Sequence, residues 1–508
     1  MAVNKTARRM YFLGIDVGTG GTRALIIDEE GRVIASATEE HQAFESPQIG
    51  WAEQDPDDWW RACGVAVREA LAKGHLRGNQ IACVGLSGQM HGAVLLDDQG
   101  RVVRPALIWC DVRTEEQCRY LTAEIGIDRL IELTCNPPLT NFTLTKCLWV
   151  RENEPENWAR VRSVMLPKDY VRFRLTGERA TDVTDASGTL LLDVAHRRWS
   201  KEMLERVEMD ESLLPNVYES PEISGKISAE GAAATGLQAG TLVVAGAGDQ
   251  AAGAIGMGVV SSGTVSATIG TSGVVLAATS GPALDPKGRL HTFCHAVPGR
   301  WMVMGVTQAA GLSLRWFRDQ LGGNGHANSH GNSYETLTAD AAKAPPGCDG
   351  LLWAPYLMGE RTPYLDPATR GGLFGLTASH TRAHVIRAIL EGVAFSLRDT
   401  FTIFQEIGVP VETVRLGGGG ARSLLWRQIQ ADVYGRRVEI VEAEEGAAYG
   451  AAILAGVGSK AWPTVDAACD AVVRVAGHID RNSRDSVTLD SAYAMYRRIY
   501  PAMKSILN

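Results

Sequence analysis

The chain carries the same short device twice. YFLGIDVGTGGTRALIID (11–28) and SATIGTSGVVLAAT (266–279) each read as an apolar strand, a turn of glycine and hydroxyl residues, and a second apolar strand. The turns at Gly18 and Gly270 lie 252 positions apart, close to half of the 508 residues. Self-similarity at that spacing predicts two related halves, each opening with a glycine-turn hairpin. A third strand (Arg32–Thr38) follows the first hairpin across a Glu-Gly turn. The boundary is expected in the glycine- and serine-rich GMGVVSSGT (256–264), giving an N-terminal domain of residues 1–257 and a C-terminal domain of 258–508.

Between and after the hairpins, strand-like runs alternate with amphipathic ones. DPDDWWRACGVAVREALAKG (55–74) has helical spacing and precedes the buried-strand pattern IACVGLSG (81–88). TRAHVIRAILEGVAFSLRDTFTIFQEIG (381–408) predicts a long helix, VETVRLGGGGARS a strand ending in a glycine turn, LLWRQIQADVYG a helix and EGAAYGAAILAGVG a small-residue helix. Strands alternating with helices predict an α/β fold with mixed sheets. GGNGHANSHGNS (322–333) reads as an exposed, mobile loop.

Composition removes several classes of function. With 45% hydrophobic and 21% charged residues, the chain is of ordinary soluble type. A net charge of −8 without a basic block argues against a nucleic-acid surface. No run approaches the roughly 18 apolar residues of a membrane span. MAVNKTARRM leads directly into YFLGID, so no signal peptide is expected. The nine cysteines form no CxxC pair, which points to free thiols in a reducing, cytoplasmic setting.

Three glycine turns can cradle a nucleotide. In DVGTGGT (16–22), backbone N–H groups can converge on an anion, with Thr19 and Thr22 adding hydroxyls and Asp16 placed to hold magnesium through water. Alone, this stretch is equally a plain hairpin turn. The repeat IGTSG (269–273) lets two hairpins grip a polyphosphate from opposite sides of a cleft. The four glycines of LGGGGARS (416–423) allow close backbone approach to a flat adenosine. GAGDQAAGAIG (246–256) holds one charge, Asp249, in a run of small residues; alone it reads as a turn aspartate.

Together these stretches resemble the FGGY carbohydrate kinases, on the actin-like (ribonuclease H-like) ATPase fold with two domains and an interdomain cleft. The likeness also rests on GWAEQDPDDWW (50–60), GLSGQMHGAVLLD (85–97), PALIWCDVR (105–113), LPKDYVRFRLTGE (166–178), TDASGT (184–189), FCHAVPGRW (293–301), PYLMGERTP (355–363) and FGLT (374–377). It runs in constant order from about residue 11 to 455, and the last fifty residues match less clearly.

Within the family, the sugar-binding stretch is similar to that of the xylulokinases. The resemblance implies Asp249 as catalytic base, with Met90, His91, Asp249 and Gln250 on the sugar. It implies phosphate contacts from Gly18, Thr19, Gly20, Thr22, Gly270, Thr271 and Ser272. Gly419, Gly420 and Ala421 match the adenosine turn, and Asp16 and Asp249 the magnesium site. The implied reaction is ATP-dependent, Mg²⁺-requiring phosphorylation of a ketopentose such as D-xylulose. An Asp of ordinary acidity suffices for it, because the proton leaves late. Met-His where glycerol kinases carry Arg-Glu argues for a pentulose. Cys110 and Gln250 depart from the usual xylulokinase pattern, which leaves ribulose, a tetritol or another polyol open. A chaperone or filament-forming ATPase of the same fold would lack QMHG and GDQAAGA. No membrane or nucleic-acid partner is expected. A homodimer is common among such kinases, but no interface is legible.

Two other clusters read as structure. His291 and His295 flank Cys294 without metal-ligand spacing and suggest a strand near the cleft, and the Trp59–Trp60 pair reads as helix packing.

Overall fold

The computed structural model describes residues 9–322, 333–442 and 446–507. Of the loop expected at 322–333, residues 323–332 lie outside the described residues.

The first sheet begins with β1 (Tyr11–Val17), β2 (Gly21–Asp28) and β3 (Val33–Glu40), an antiparallel meander. Helix α1 (Pro56–Lys73) follows. Asp55 caps it by accepting from the Asp57 N–H, Pro56 starts it and Gly74 ends it. Its Trp59 is fully buried, as expected of a packing residue. The chain then enters β4 (Ile81–Gly88), parallel to β1. After α2 (Pro167–Thr176) and the single turn α3 (Val183–Ala186) come β5 (Ile223–Lys226), β6 (Leu242–Val244) and β7 (Ala247–Gly248). The strand order is β5-β6-β4-β1-β2-β3, with β7 pairing onto β4. The segment ends in α4 (Asp249–Gly256).

The second sheet repeats the plan. β8 (Gly263–Ile269), β9 (Gly273–Thr279), β10 (His291–Cys294) and β11 (Trp301–Thr307) are joined by β12 (Val411–Gly418), β13 (Val438–Val441) and β14 (Val475–Ile479) in the order β10-β11-β9-β8-β12-β13-β14. β8, β9 and β11 form the antiparallel meander, and β12 runs parallel to β8 as β4 does to β1. Helices α5 (Arg382–Glu406), α6 (Leu424–Tyr434) and α7 (Gly446–Gly458) stand close to their expected bounds. They are followed by α8 (Ser483–Tyr496) and α9 (Ile499–Leu507).

Helix α7 belongs to the second half of the sequence yet packs on the first sheet. A Cβ at Gly14 of β1 would land on the Ala448 carbonyl, and one at Gly85 of β4 on the Ala451 carbonyl. The same helix crosses α4 so closely that a Cβ at Gly450 would meet the Ala252 carbonyl. Small residues therefore let two central helices interleave, and the largest apolar cluster runs through them. All nine cysteines are free. Among the described residues, no helix is long and apolar enough to cross a membrane.

Candidate active site

Each sheet ends its first strand at a glycine turn and carries a loop beyond the parallel strand beside it. In the first sheet, Asp16 pairs with Ser87 and Val17 with Gly88, while Gly248 pairs with Gly88. This registration brings the end of β1 to the level of β7, immediately before Asp249. The two carboxylates then line one cavity of about 420 Å³ with Gln250, Gly253, Thr268, Gly417–Gly419, Ala421, Arg422 and Arg427.

Burial pushes the Asp249 carboxyl up to about 7, and the charge of Asp16 adds to the effect. Asp16 is also raised by burial, offset in part by Ser87 and Arg23. Its Oδ1 is buried and has no hydrogen-bond partner. An unsatisfied carboxylate oxygen beside a second carboxyl suits a magnesium ion, which takes one or two protein carboxylates and keeps waters and substrate phosphates as its other ligands. Among the described residues no group of three acidic, histidine or cysteine ligands forms a complete cage.

A second cavity, about 320 Å³, is lined by Gly270, Thr271, Gly311, Leu314, Tyr334, Glu335, Gly419, Gly420 and Trp426. It meets the first at Gly419 and Arg422, which line both. The glycine turn is pressed onto the second hairpin. Gly418 has φ 71°, and a Cβ at Gly420 would lie 2.6 Å from the Ile269 Cβ. The turn can therefore carry no side chain there.

The first hairpin is arranged differently from its expectation. Thr22 is fully buried, and its Oγ1 is bonded to His41 Nε2 at 2.8 Å. Its hydroxyl therefore braces the sheet and is not free for phosphate. Thr19 Oγ1 accepts from Trp109 Nε1 (2.9 Å), and its carbonyl accepts from Gln54 Nε2 (2.8 Å). Gln54 Oε1 in turn accepts from Gln89 Nε2 (3.0 Å). The Thr19 hydroxyl donates to Gln89 Oε1 (3.4 Å) and the Gly18 N–H to the Gly21 carbonyl (3.0 Å), so the turn is held by residues from three separate stretches and by its own closing bond. Neither Gly18, Thr19, Gly20 nor Ser272 lines the two cavities.

Met90 and His91 lie outside both cavities. Met90 is buried, its Sδ 2.9 Å from where a Cβ on Gly248 would stand. His91 takes φ 69° and bonds through Nδ1 to the Gly188 carbonyl at 2.9 Å. Its ring meets Phe142 edge-on at 5.0 Å and Phe293 at 5.9 Å. Burial holds it well below the usual histidine range, so it is neutral at pH 7. His291, on the strand β10 foreseen beside the cleft, stacks on Phe293 at 5.7 Å and is pushed down to about 3 by burial.

Several further residues were not singled out from the sequence. Lys146 is buried with Nζ donating to the His91 carbonyl (2.8 Å), and burial lowers it to about 7. Phe142 and Phe293 pack against the His91 ring, and Arg422 and Arg427 bring positive charge to the first cavity. The two arginines were within reach of sequence reading, since both follow the glycine run. Phe142 and Lys146 were not, because nothing local distinguishes them from core.

Comparison with known proteins places the chain. Residues 11–256 match the N-terminal domain and 265–459 the C-terminal domain of the FGGY family of carbohydrate kinases. The chain is 38% identical over 496 residues to a xylulose kinase of Bacillus subtilis (strain 168), covering 98% of both chains. It is 40% identical over 450 residues to that of Escherichia coli (strain K12), covering 88% of this chain and 90% of the relative. The crystal structure of a xyloylose kinase from Brucella ovis superposes with a TM-score of 0.90 at 36% identity, over 98% of this chain and 100% of that one. Two sheets of one plan around a shared cleft, and family matches across both halves, give one conclusion: the chain belongs to the FGGY family of carbohydrate kinases, enzymes that transfer phosphate from ATP to a sugar.

Proposed function

We propose that the chain transfers the γ-phosphoryl group of ATP to the C5 hydroxyl of D-xylulose, releasing ADP and D-xylulose 5-phosphate. The observation that carries this reading is Asp249. It lines the cavity at the glycine turns and directly follows Gly248, against which Met90 is packed. Its support from relatives is the xylulose kinases named above. Residues 1–257 would supply the sugar site, the first phosphate hairpin and the base. Residues 258–508 would supply the second hairpin and the adenosine turn.

Phosphoryl transfer needs in-line positioning, charge neutralisation and a proton acceptor. Asp249 orients the attacking hydroxyl and takes its proton at a carboxylate oxygen; a pKa of about 7 makes it a competent base at neutral pH. The Gly18 turn and the Gly270 turn, whose Gly270 and Thr271 line the second cavity, would flank the polyphosphate, and Gly419, Gly420 and Ala421 would lie along the adenosine. Neutral His91, its Nδ1–H given to the Gly188 carbonyl, accepts one hydrogen bond from a sugar hydroxyl at Nε2. Asp16 and Asp249 would hold Mg²⁺, which when bound neutralises phosphate charge.

Cys110 and Gln250 keep a second ketopentose in view. ADP release measured with D-xylulose, D-ribulose, glycerol and a tetritol decides the matter. D-Xylulose is expected to give the highest kcat/KM, and a higher value for any of the others would overturn the assignment.

A further inference from the structure

The segment 182–189 makes contacts that its sequence does not announce. Thr184 Oγ1 accepts from the Gly248 N–H at 2.9 Å, directly before Asp249. The Gly188 carbonyl holds His91 Nδ1 at 2.9 Å. Between them, Ser187 Oγ accepts from the Cys294 N–H of β10 at 3.0 Å. One short strap therefore touches the backbone at the base, the sugar-side histidine and a strand of the second half.

The strap is anchored from beneath. The Thr184 hydroxyl donates to Asp182 Oδ1 at 2.5 Å, and the same oxygen accepts from the Thr184 N–H at 2.9 Å. Asp182 Oδ2 pairs with Lys168 Nζ at 3.1 Å, and both side chains are fully buried. The stretch before Asp249 is held upstream by backbone bonds, from the Ala245 N–H to the Glu222 carbonyl and from the Gly246 N–H to the Ser220 carbonyl, and has no side chain of its own to fix its last residue. It reads AGAG, contributes no side chain larger than methyl, pairs with β4 over only two residues, and begins α4 without a side-chain cap.

We infer that Thr184, held by Asp182, is a positioning residue that sets Asp249 at a fixed distance from the sugar-holding His91. The Thr184 oxygen is satisfied in both directions, as acceptor from Gly248 and donor to Asp182, so it has one orientation. Gly188 fits against His91 so tightly that a Cβ there would lie 2.6 Å from Nδ1, so the far end of the strap is fixed too. The inference rests on the reading of Asp249 as base.

The test compares Thr184→Val, Thr184→Ser, Asp249→Asn and the Thr184→Val/Asp249→Asn double variant. Rates are measured per folded enzyme, with folding checked by circular dichroism. Thr184→Val is expected to lower kcat about 10²-fold, the cost of a small misplacement of a reacting group, and to leave the KM for ATP unchanged. Thr184→Ser should restore most of the rate. In the Asp249→Asn background, Thr184→Val should cost nothing more, because groups acting as a unit are not additive. Thr184→Ala, which adds no bulk, carries the same expectation should the valine variant not fold. A wild-type kcat in Thr184→Val, or the same loss repeated in the Asp249→Asn background, would overturn the positioning role. A wild-type kcat in Asp249→Asn would instead overturn the base itself.

Discussion

At the scale of single residues, the unexpected property of the site is the acidity of Asp249. By the sequence reading an aspartate of ordinary strength would suffice. Burial and the facing Asp16 raise it from 3.8 to about 7. The sign of the stability effect follows. Below about pH 4 the carboxyl is protonated in both folded and unfolded chains and costs nothing. As pH rises towards 7 the unfolded chain releases the proton first, so the native state loses stability, and the loss is complete above the folded-state pKa. Asp249→Asn should therefore melt higher than the wild type at pH 8 without ligands, with the gap closing near pH 4; differential scanning calorimetry at the two values reads it. The same variant should lose about 10²- to 10⁴-fold in kcat, the usual share of general-base assistance. More stability for less activity is the trade expected where a charge is kept buried for chemistry.

At the scale of elements, the two halves repeat one strand-and-loop design. The loop after β4 carries Gln89, Met90 and His91, and its counterpart is the glycine run Gly417–Gly420 at the end of β12. The positions correspond by register, since Val17 pairs with Gly88 and Ile269 with Gly418. The first loop carries the buried side chains of Met90 and His91, whereas the glycines of the second line the two cavities. Both loops were legible, because glycine runs and the QMHG stretch are local signals. The crossing of α4 and α7 was legible only as small-residue composition. Glycine marks a close approach, but the partner is chosen by the fold. Gly450→Ala should cost about 3 kcal/mol through overpacking against the Ala252 carbonyl, read by urea unfolding.

At the scale of the whole molecule, the last fifty residues complete the structure. Trp462 packs on Phe12 with ring centroids 5.3 Å apart. Tyr493 and Tyr496 of α8 bond Asp399 (2.7 Å) and Tyr356 (2.9 Å), and Tyr500 of α9 stacks on Tyr364 at 3.6 Å. Removing residues 460–508 should leave a chain that neither melts cooperatively nor resists limited proteolysis. The cleft between halves also predicts that ATP hydrolysis without sugar is slow and that sugar accelerates ADP release, since closure around both substrates excludes water. Equal rates with and without sugar would contradict closure. The sequence by itself determined the duplicated hairpins, the glycine turn, the α/β class and the identity of the lone charge in GAGDQAAGAIG, because turns, strand periodicity and an isolated carboxylate are properties of a few adjacent residues. Only the tertiary structure decided that Thr22 faces inward, that α7 returns to the first sheet, that Lys146 and Phe142 back His91, and that Thr184 grips the backbone before Asp249. Those facts depend on residues tens to hundreds of positions apart, and burial and hydrogen-bond satisfaction are settled only when the whole chain has packed.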